Sequence, residues 1–110
     1  MKNNIHYSVE ARRDLDEIWD YIQAELCNPA AAANTVGRVM DAVDGLESFS
    51  GLGTPLAAVT DTDSDYRYLV SGSYMIFYRV NGKNVYVDRI LYGRRDYLRT
   101  LFGDIEKEGN

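Results

Sequence analysis

The strongest constraint on the fold is the dipeptide Asn81-Gly82, which separates two runs of strand-forming residues. Asn-Gly favours a two-residue type I′ turn, because both central residues of that turn need a positive φ. The run before it, residues 74–80, is apolar on both faces except at Arg79, as expected of a central strand. Residues 84–92 form the partner strand, so the second half of the chain is predicted to contain an antiparallel hairpin.

The first half of the chain has the periodicity of α-helices. An apolar residue recurs every three or four positions between residues 11 and 26, which predicts a helix whose acidic residues, including Asp14, occupy its other faces. Ser8 precedes this helix as an N-cap, and Asn28-Pro29 predicts the start of a second helix that runs to about residue 48. The two apolar stripes are Ala11, Leu15, Ile18, Ile22 and Leu26, and then Val36, Val39, Met40, Val43, Leu46 and Phe49.

The remaining segments complete the order β-α-α-β-β-β-α. Residues 4–8 and 66–71 have the composition of short strands, and residues 95–102 have the pattern of a short terminal helix. Residues 50–65 have the composition of a loop, and this length indicates a functional or mobile segment. The fold class is therefore α+β, with the N-terminal strand and a helical hairpin packed on a mainly antiparallel sheet in two layers.

These elements fit one domain over residues 1–110, with a core from about 4 to 102 and a polar tail at 103–110. No apolar run is long enough to cross a bilayer and no segment resembles a signal peptide, so we expect a cytoplasmic protein with no membrane association. Cys27 is the only cysteine, which excludes an intrachain disulfide. One histidine and one cysteine do not supply a ligand set, so neither a metal nor another cofactor is expected.

The charges are distributed unevenly along the chain. The net charge is −5, which argues against general nucleic-acid binding. Residues 1–65 have a net charge of −8, whereas residues 66–102 have a net charge of +5. The basic half either docks an acidic partner or phosphates, or presents scattered arginines on a solvated strand face, and the charges alone leave both interpretations open.

Three segments, in the right order and at the right spacing, carry a resemblance to a known family. They are Ala11-x-x-Asp14-Leu15-x-x-Ile18-Trp19-x-Tyr21-Ile22, then Arg67-x-Leu69-Val70-x-Gly72-x-Tyr74-x-Ile76-Phe77-Tyr78-Arg79-Val80, then Val85-x-Val87-x-Arg89-Ile90-Leu91-x-Gly93-Arg94-Arg95-Asp96. Together they resemble the RelE/ParE superfamily of type II toxin–antitoxin toxins. The chain is more similar to the ParE branch, which includes plasmid stabilisation proteins.

The resemblance implies one of two activities and a set of partners. RelE-type toxins cut messenger RNA in the decoding site of the ribosome, whereas ParE-type toxins act on DNA gyrase. Both are neutralised by a cognate antitoxin, ParD-like or RelB-like, which wraps the toxin and helps to repress the shared operon. A toxin–antitoxin hetero-oligomer is therefore implied, with gyrase or the ribosome as the target.

The catalytic arginines of the RelE type are incompletely matched. The resemblance places one of them directly after the aromatic residue Tyr74, where this chain has Met75. Methionine cannot stabilise the charge that develops on a scissile phosphate. The second position matches Arg95, which would be catalytic in a RelE-like enzyme. A ParE-like toxin that acts by binding is therefore favoured over a RelE-like ribonuclease, and an inactive member that only binds antitoxin or regulates the operon is the third alternative.

Arg94 and Arg95 follow the last strand, where side chains can reach a partner. They are the first candidates for contact with the target or antitoxin. The alternative for the arginines is intramolecular pairing with acidic residues, and Trp19 is either a partner anchor or a lid over the core. The other candidate contact residues are Arg89, Arg79, Arg67, Tyr92 and Trp19.

Overall fold

The computed structural model describes residues 2–59, 64–93 and 97–102. Within them the chain forms an α+β fold in which two long helices pack against a five-stranded sheet. The predicted element order is confirmed, with one further short strand inside the predicted loop. The elements are β1 (Asn4–Tyr7), α1 (Val9–Leu26), α2 (Pro29–Asp44), β2 (Thr54–Pro55), β3 (Arg67–Ser71), β4 (Tyr74–Asn81), β5 (Asn84–Tyr92) and α3 (Tyr97–Phe102).

The sheet has the strand order β1-β5-β4-β3-β2, and every neighbouring pair except β1–β5 is antiparallel. The apolar strand β4 lies at the centre, as its sequence predicts. β1 pairs with Asn84–Val87 alone, so among the described residues positions 88–92 of β5 have β4 on one side and no strand on the other. Helix α1 packs against β5 and partly covers this open edge.

The β4–β5 hairpin is confirmed, but its turn is not the predicted type I′. Asn81 pairs with Asn84 as the last residue of β4, so the two central residues are Gly82 and Lys83. Gly82 has a φ of +61°, and neither Asn81 nor Lys83 has a positive φ. A glycine with positive φ at the first central position is typical of a type II′ turn. The prediction was wrong because the strand continues for one residue beyond the apolar run.

A β-bulge interrupts the pairing of β4 with β5. Phe77 lies opposite Arg89 and Tyr78 lies opposite Val87, which leaves Asp88 as the extra residue. As a result the buried residues of β5 on the helical side change their spacing from two to three after Val87, with Ile90 next in the core. The bulge also allows the consecutive side chains of Asp88 and Arg89 to reach different neighbours.

Both helices begin at the predicted caps. The Ser8 hydroxyl accepts the Ala11 N–H at 2.9 Å and donates to the Asp88 carbonyl at 2.8 Å, so it joins α1 to the bulge. The Asn28 side chain accepts the Ala31 N–H at 3.1 Å at the start of α2. None of the described helices combines the length and apolar character needed to cross a membrane.

The main core lies between the helical hairpin and the sheet. Three predicted core residues are exposed instead: Leu26 by 63%, Met40 by 44% and Phe49 by 62%. Residues 23–30 are all exposed, so the tip of the hairpin extends beyond the core, and Phe49 follows the end of α2. The buried core residues are Ala11, Ile18, Ile22, Ala32, Val39, Val43, Leu46, Ile76, Tyr78, Val85, Val87 and Ile90.

A smaller apolar cluster lies on the other face of the sheet. Leu56, Phe77 and Leu91 are its buried centre. The short helix α3 contributes Tyr97 and Leu101 to this cluster, as predicted from their apolar positions. The second face is therefore partly covered by the terminal helix and by the segment before β3.

The predicted loop 50–65 is in part built into the sheet, because β2 pairs with the start of β3. The buried Tyr78 hydroxyl accepts the Gly53 N–H at 2.8 Å and donates to the Ser50 carbonyl at 2.8 Å. A Cβ at Gly53 would lie 2.6 Å from that hydroxyl oxygen, so the close approach requires glycine. Residues 60–63 lie outside the described residues.

Candidate functional site

The positions that the resemblance matches to RelE-type catalytic residues lie in or next to the start of β4 and the end of β5. Tyr74 and Tyr92 are paired there, with ring centroids 5.9 Å apart in an edge-to-face arrangement. Tyr92 is 40% exposed, and its contact with a partner stays a prediction. The Gly93 N–H donates to the Ser73 carbonyl at 2.8 Å and extends the pairing to the last described residue before Arg94.

Met75 occupies the position that matches a catalytic arginine in the RelE type. It packs against the smaller apolar cluster of Leu56, Phe77 and Leu91. It also lines a cavity of about 290 Å³ together with Val70. The thioether therefore fills an apolar environment, where an uncompensated positive charge would be unfavourable.

Arg89 is engaged by a carboxylate of α1. Its Nε donates to Oδ2 of Asp14 at 2.8 Å and its Nη2 donates to Oδ1 at 2.9 Å, so the pair has two-point geometry. The Ile90 N–H donates to the same Oδ2 at 2.9 Å. Hydrogen bonding to Asp14 raises the pKa of Arg89, although burial opposes this effect. Asp14 thus accepts one N–H of the open edge of β5 and connects α1 to the sheet.

The burial of Asp14 contradicts its predicted place on a polar helix face. Asp14 is only 6% exposed. It lies three residues after the buried Ala11 and four before the buried Ile18, so it belongs to the apolar face by spacing. That spacing is the sequence observation that identifies Asp14 as a structural residue.

Arg79 lies at the outer end of a second polar cluster. Its Nε donates to Oδ2 of Asp88 at 2.9 Å, and its guanidinium carbon lies 5.4 Å from the centre of the Tyr66 ring. The Tyr66 hydroxyl donates to the same Oδ2 at 2.9 Å. Burial, followed by the hydrogen bond to Asp88, raises the pKa of Tyr66 to about 12. The Tyr66 contact was not predicted, and its only sequence indication is an aromatic residue beside a basic strand.

Arg67 does not belong to the cluster of Arg79, Asp88 and Tyr66. Arg67 lies opposite Tyr78 on β3, and its Nη1 donates to the Gly53 carbonyl at 2.8 Å. Arg79 and Arg89 pair with carboxylates, which is the alternative that the sequence left open for the arginines, whereas Arg67 bonds to a backbone carbonyl. Whether these residues also touch a partner remains a prediction.

Trp19 is half-buried and packs against the main core, and its indole N–H donates to the Gln23 side chain at 2.8 Å. The geometry agrees with a lid over the core. Arg94 and Arg95, the leading candidates from the sequence, lie outside the described residues. Their contact roles remain predictions from the sequence.

A tyrosine-lined pocket lies between α1 and the paired ends of β4 and β5, with a volume of about 430 Å³. Tyr21, Tyr74 and Tyr92 contribute its aromatic wall. Burial raises the pKa of Tyr74, and the nearby Tyr21 and Tyr92 raise it further. The pocket is further lined by Asp14, Glu17, Ile18 and Ile90. The sequence analysis missed it because it joins residues that are far apart in the chain.

Metal binding has no support in the described part of the chain. Within residues 2–59, 64–93 and 97–102, no three His, Cys, Asp or Glu side chains are grouped so that they could hold an ion. His6 lies on β1, where its ring stacks on Tyr86 at 5.1 Å and its Nε2 is 3.0 Å from Oδ1 of Asn84. Its surroundings are those of a strand-face residue, away from Tyr74 and Tyr92.

Comparisons with known proteins agree with this geometry. A family model described as the ParE toxin of the type II toxin–antitoxin system parDE matches residues 5–97. A chain of the chromosomal ParDE TA system from P. aeruginosa is similar, with a TM-score of 0.66, 22% identity, and coverage of 81% of this chain and 94% of that one.

A second similar chain comes from the toxin–antitoxin complex RelBE2 of Mycobacterium tuberculosis. It has a TM-score of 0.56 and 18% identity, and the match covers 84% of this chain and 99% of that one. At these identities the two solved structures show a shared fold. A search of curated proteins gives no match.

Proposed function

Since the chain belongs to the ParE toxin family of type II toxin–antitoxin systems, we propose that it inhibits growth by binding DNA gyrase and that a cognate antitoxin neutralises it. The proposal makes it a binding toxin that breaks no bond itself. Gyrase acts on DNA in the cytoplasm, so we also place the action of the toxin there.

The observation that carries the proposal is the environment of Met75. A ribonuclease of this fold must stabilise a phosphate that gains negative charge, which requires cationic groups aimed at the scissile bond. At the matching position this chain has an uncharged thioether packed against the cluster of Leu56, Phe77 and Leu91. Loss of one preorganised hydrogen-bond donor to a developing oxyanion typically costs about 2.7–4 kcal/mol of transition-state stabilisation, a factor of roughly 10²–10³ in rate. A binding mechanism does not depend on that cation.

The state of the other arginines supports the same proposal. The guanidinium group of Arg89 already has two carboxylate contacts, and that of Arg79 has one. Moving either of them to a phosphate would leave a carboxylate without its partner. We therefore propose that Arg94 and Arg95, directly beyond Gly93, are the arginines that reach gyrase.

An antitoxin partner is supported by the two similar solved structures, whose titles describe toxin–antitoxin systems or complexes. In this chain the open edge of β5 and the exposed Tyr92 lie side by side. An extended antitoxin segment that covers this end of the sheet would also cover Gly93, the residue that precedes Arg94 and Arg95 in the sequence. We propose that neutralisation is occlusion of that surface.

The test is a gyrase assay with the purified full-length chain. We expect DNA cleavage complexes to accumulate, and we expect an excess of antitoxin to prevent their accumulation. The double variant Arg94→Ala with Arg95→Ala is expected to weaken the accumulation at least tenfold. Lys83→Ala, in the turn before β5, removes one positive charge at the other end of the strand and is expected to leave the accumulation of cleavage complexes unchanged.

Three results would contradict the proposal. Unchanged gyrase products at saturating toxin would reject the target. Codon-phased cuts in translated messages would favour the RelE-like ribonuclease. Unimpaired growth after induction without antitoxin would favour an inactive member that acts only in antitoxin binding or operon regulation.

A further inference from the structure

The tyrosine-lined pocket between α1 and the ends of β4 and β5 has a feature that the proposed function does not use. Tyr21, Tyr74 and Tyr92 line one cavity, and Tyr21 is 64% exposed. The ring faces of tyrosine carry negative electrostatic potential and attract cations. A cavity with three such rings, open to solvent, is suited to a positively charged group.

The carboxylates of the pocket differ in availability. Asp14 is committed to Arg89 and to the Ile90 N–H. Glu17 is exposed and makes no ion pair with another described residue. The pocket therefore offers one uncommitted carboxylate at its rim, beside the aromatic wall.

We propose that this pocket receives an arginine side chain of the antitoxin, with the guanidinium group stacked on the tyrosines and hydrogen-bonded to Glu17. A guanidinium group combines planar stacking on aromatic rings with two-point hydrogen bonding to a carboxylate. The inference deepens the proposed function, because it rests on an antitoxin segment covering this end of the sheet.

The negative charge around the pocket favours a basic side chain over a nucleotide. Aromatic rings can also stack with bases, but a nucleotide would bring phosphate charge to a rim that carries Glu17 and lies on an acidic helix. The half of the chain that contains α1 has a net charge of −8. A partner segment that carries arginine is thus attracted to the same surface on which its side chain is held.

The first experiment uses the full-length chain with labelled tyrosine rings and two matched probes, followed by NMR. Nα-acetyl-arginine amide carries the guanidinium group, and Nα-acetyl-citrulline amide has the same length without the charge. We expect the arginine probe to shift the signals of Tyr21, Tyr74 and Tyr92 with a dissociation constant of about 1–10 mM. The citrulline probe is expected to bind at least tenfold more weakly.

Variants locate the contact. Glu17→Gln is expected to weaken the arginine probe about fivefold and Tyr21→Ala about tenfold, and both positions are exposed, so the fold is retained. Tyr86→Ala removes another exposed tyrosine, 38% against the 64% of Tyr21, outside this pocket and is expected to change nothing. Equal binding of the two probes, shifts that spread to Tyr86, or stronger binding of adenosine monophosphate would overturn the proposal.

A second experiment separates this inference from the proposed function. Each arginine of the antitoxin is replaced by alanine, and binding is measured to the wild-type toxin and to Glu17→Gln. One arginine is expected to lose about tenfold in affinity with the wild type and only two- to threefold with the variant. Tight antitoxin binding without such coupling would reject the pocket and leave the proposed function intact, whereas no antitoxin binding at all would reject the proposed neutralisation.

Discussion

Asp88 and Arg89 are consecutive residues of β5, yet they belong to two ion pairs in different environments. Arg89 reaches Asp14 on α1, where the side chains are 26% and 7% exposed. Asp88 reaches Arg79 on β4, where the exposures are 18% and 47%. The first pair also takes up a backbone N–H at the edge of the sheet, whereas the second involves the Tyr66 hydroxyl.

The difference shows that an aspartate–arginine pair can either connect two elements in the interior or lie at the surface, although the two pairs involve consecutive residues of β5. The buried Asp14–Arg89 pair connects a helix to a sheet, and the loss of either partner leaves an uncompensated group with little access to water. The Asp88–Arg79 pair lies at the surface, where solvent compensates most of what it contributes. A count of arginines cannot distinguish these cases, because their surroundings decide the energy.

The largest expected effect is from Asp14→Ala. It leaves the Arg89 guanidinium and the Ile90 N–H without their acceptor, so the free energy of unfolding should fall by about 3 kcal/mol, near the lower end for a broken buried pair because Arg89 is partly exposed. Urea denaturation followed by circular dichroism measures this change. Asp16→Ala, an exposed change on the same helix, serves as the control and is expected to cost under about 0.5 kcal/mol. Equal effects at the two positions would contradict the structural role of Asp14.

Double-mutant cycles make the comparison quantitative. For Asp14 and Arg89 we expect a coupling free energy of about 2 kcal/mol, since the pair is enclosed and has two-point geometry. For Asp88 and Arg79 we expect less than about 1 kcal/mol. Denaturation of the single and double alanine variants gives both values, and a reversed order would refute the assignment of the two pairs.

Arg79→Ala is expected to have a smaller effect, about 0.5 kcal/mol of unfolding free energy, because its side chain is 47% exposed. This loss should shrink further in about 1 M salt, where the screening length is only about 3 Å. The effect of Asp14→Ala should change little in the same buffer, since that carboxylate is shielded from salt. A salt-independent Arg79 effect would indicate that the Tyr66 contact, rather than charge, is responsible.

The smallest expected effect is on titration of Tyr66, whose pKa is raised from 10.0 to about 12. A raised pKa means that the contribution to stability is present below pH 10 and is lost as the pH rises through about 12. In Asp88→Asn the pKa of Tyr66 should fall but stay above 10.0, because burial is the larger cause. Phenolate absorbance measures this shift. Tyr7, also raised to about 12 by burial and then by Asp44, is an internal reference that should not move.

Much of the fold could be predicted from local patterns. Helical spacing and the caps at Ser8 and Asn28 predicted α1 and α2, and the apolar run at 74–80 predicted the central strand. The prediction failed where a distant contact decides the local structure. β2 forms because it pairs with β3, and Gly53 is held by the Tyr78 hydroxyl, neither of which has a strong local pattern.

The candidate site was less predictable than the fold. The exposed Tyr92 and the uncharged Met75 were singled out, because the resemblance to the RelE/ParE superfamily drew attention to their positions. The tyrosine-lined pocket was not, since Tyr21 and Glu17 come from α1 and meet Tyr74 only after the helix has packed on the sheet. Residues that meet through packing leave no spacing in the sequence.

The sequence alone determined the family, the order of the helices and strands, and the uneven distribution of charge, because each of these follows from residue type and local spacing. Only the tertiary structure decided which charged side chains pair within the molecule. The bulge at Asp88 sends adjacent side chains to different partners, and the packing of α1 buries Asp14 against Arg89. Electrostatic energy depends on distance and on access to water, and both are properties of the folded chain.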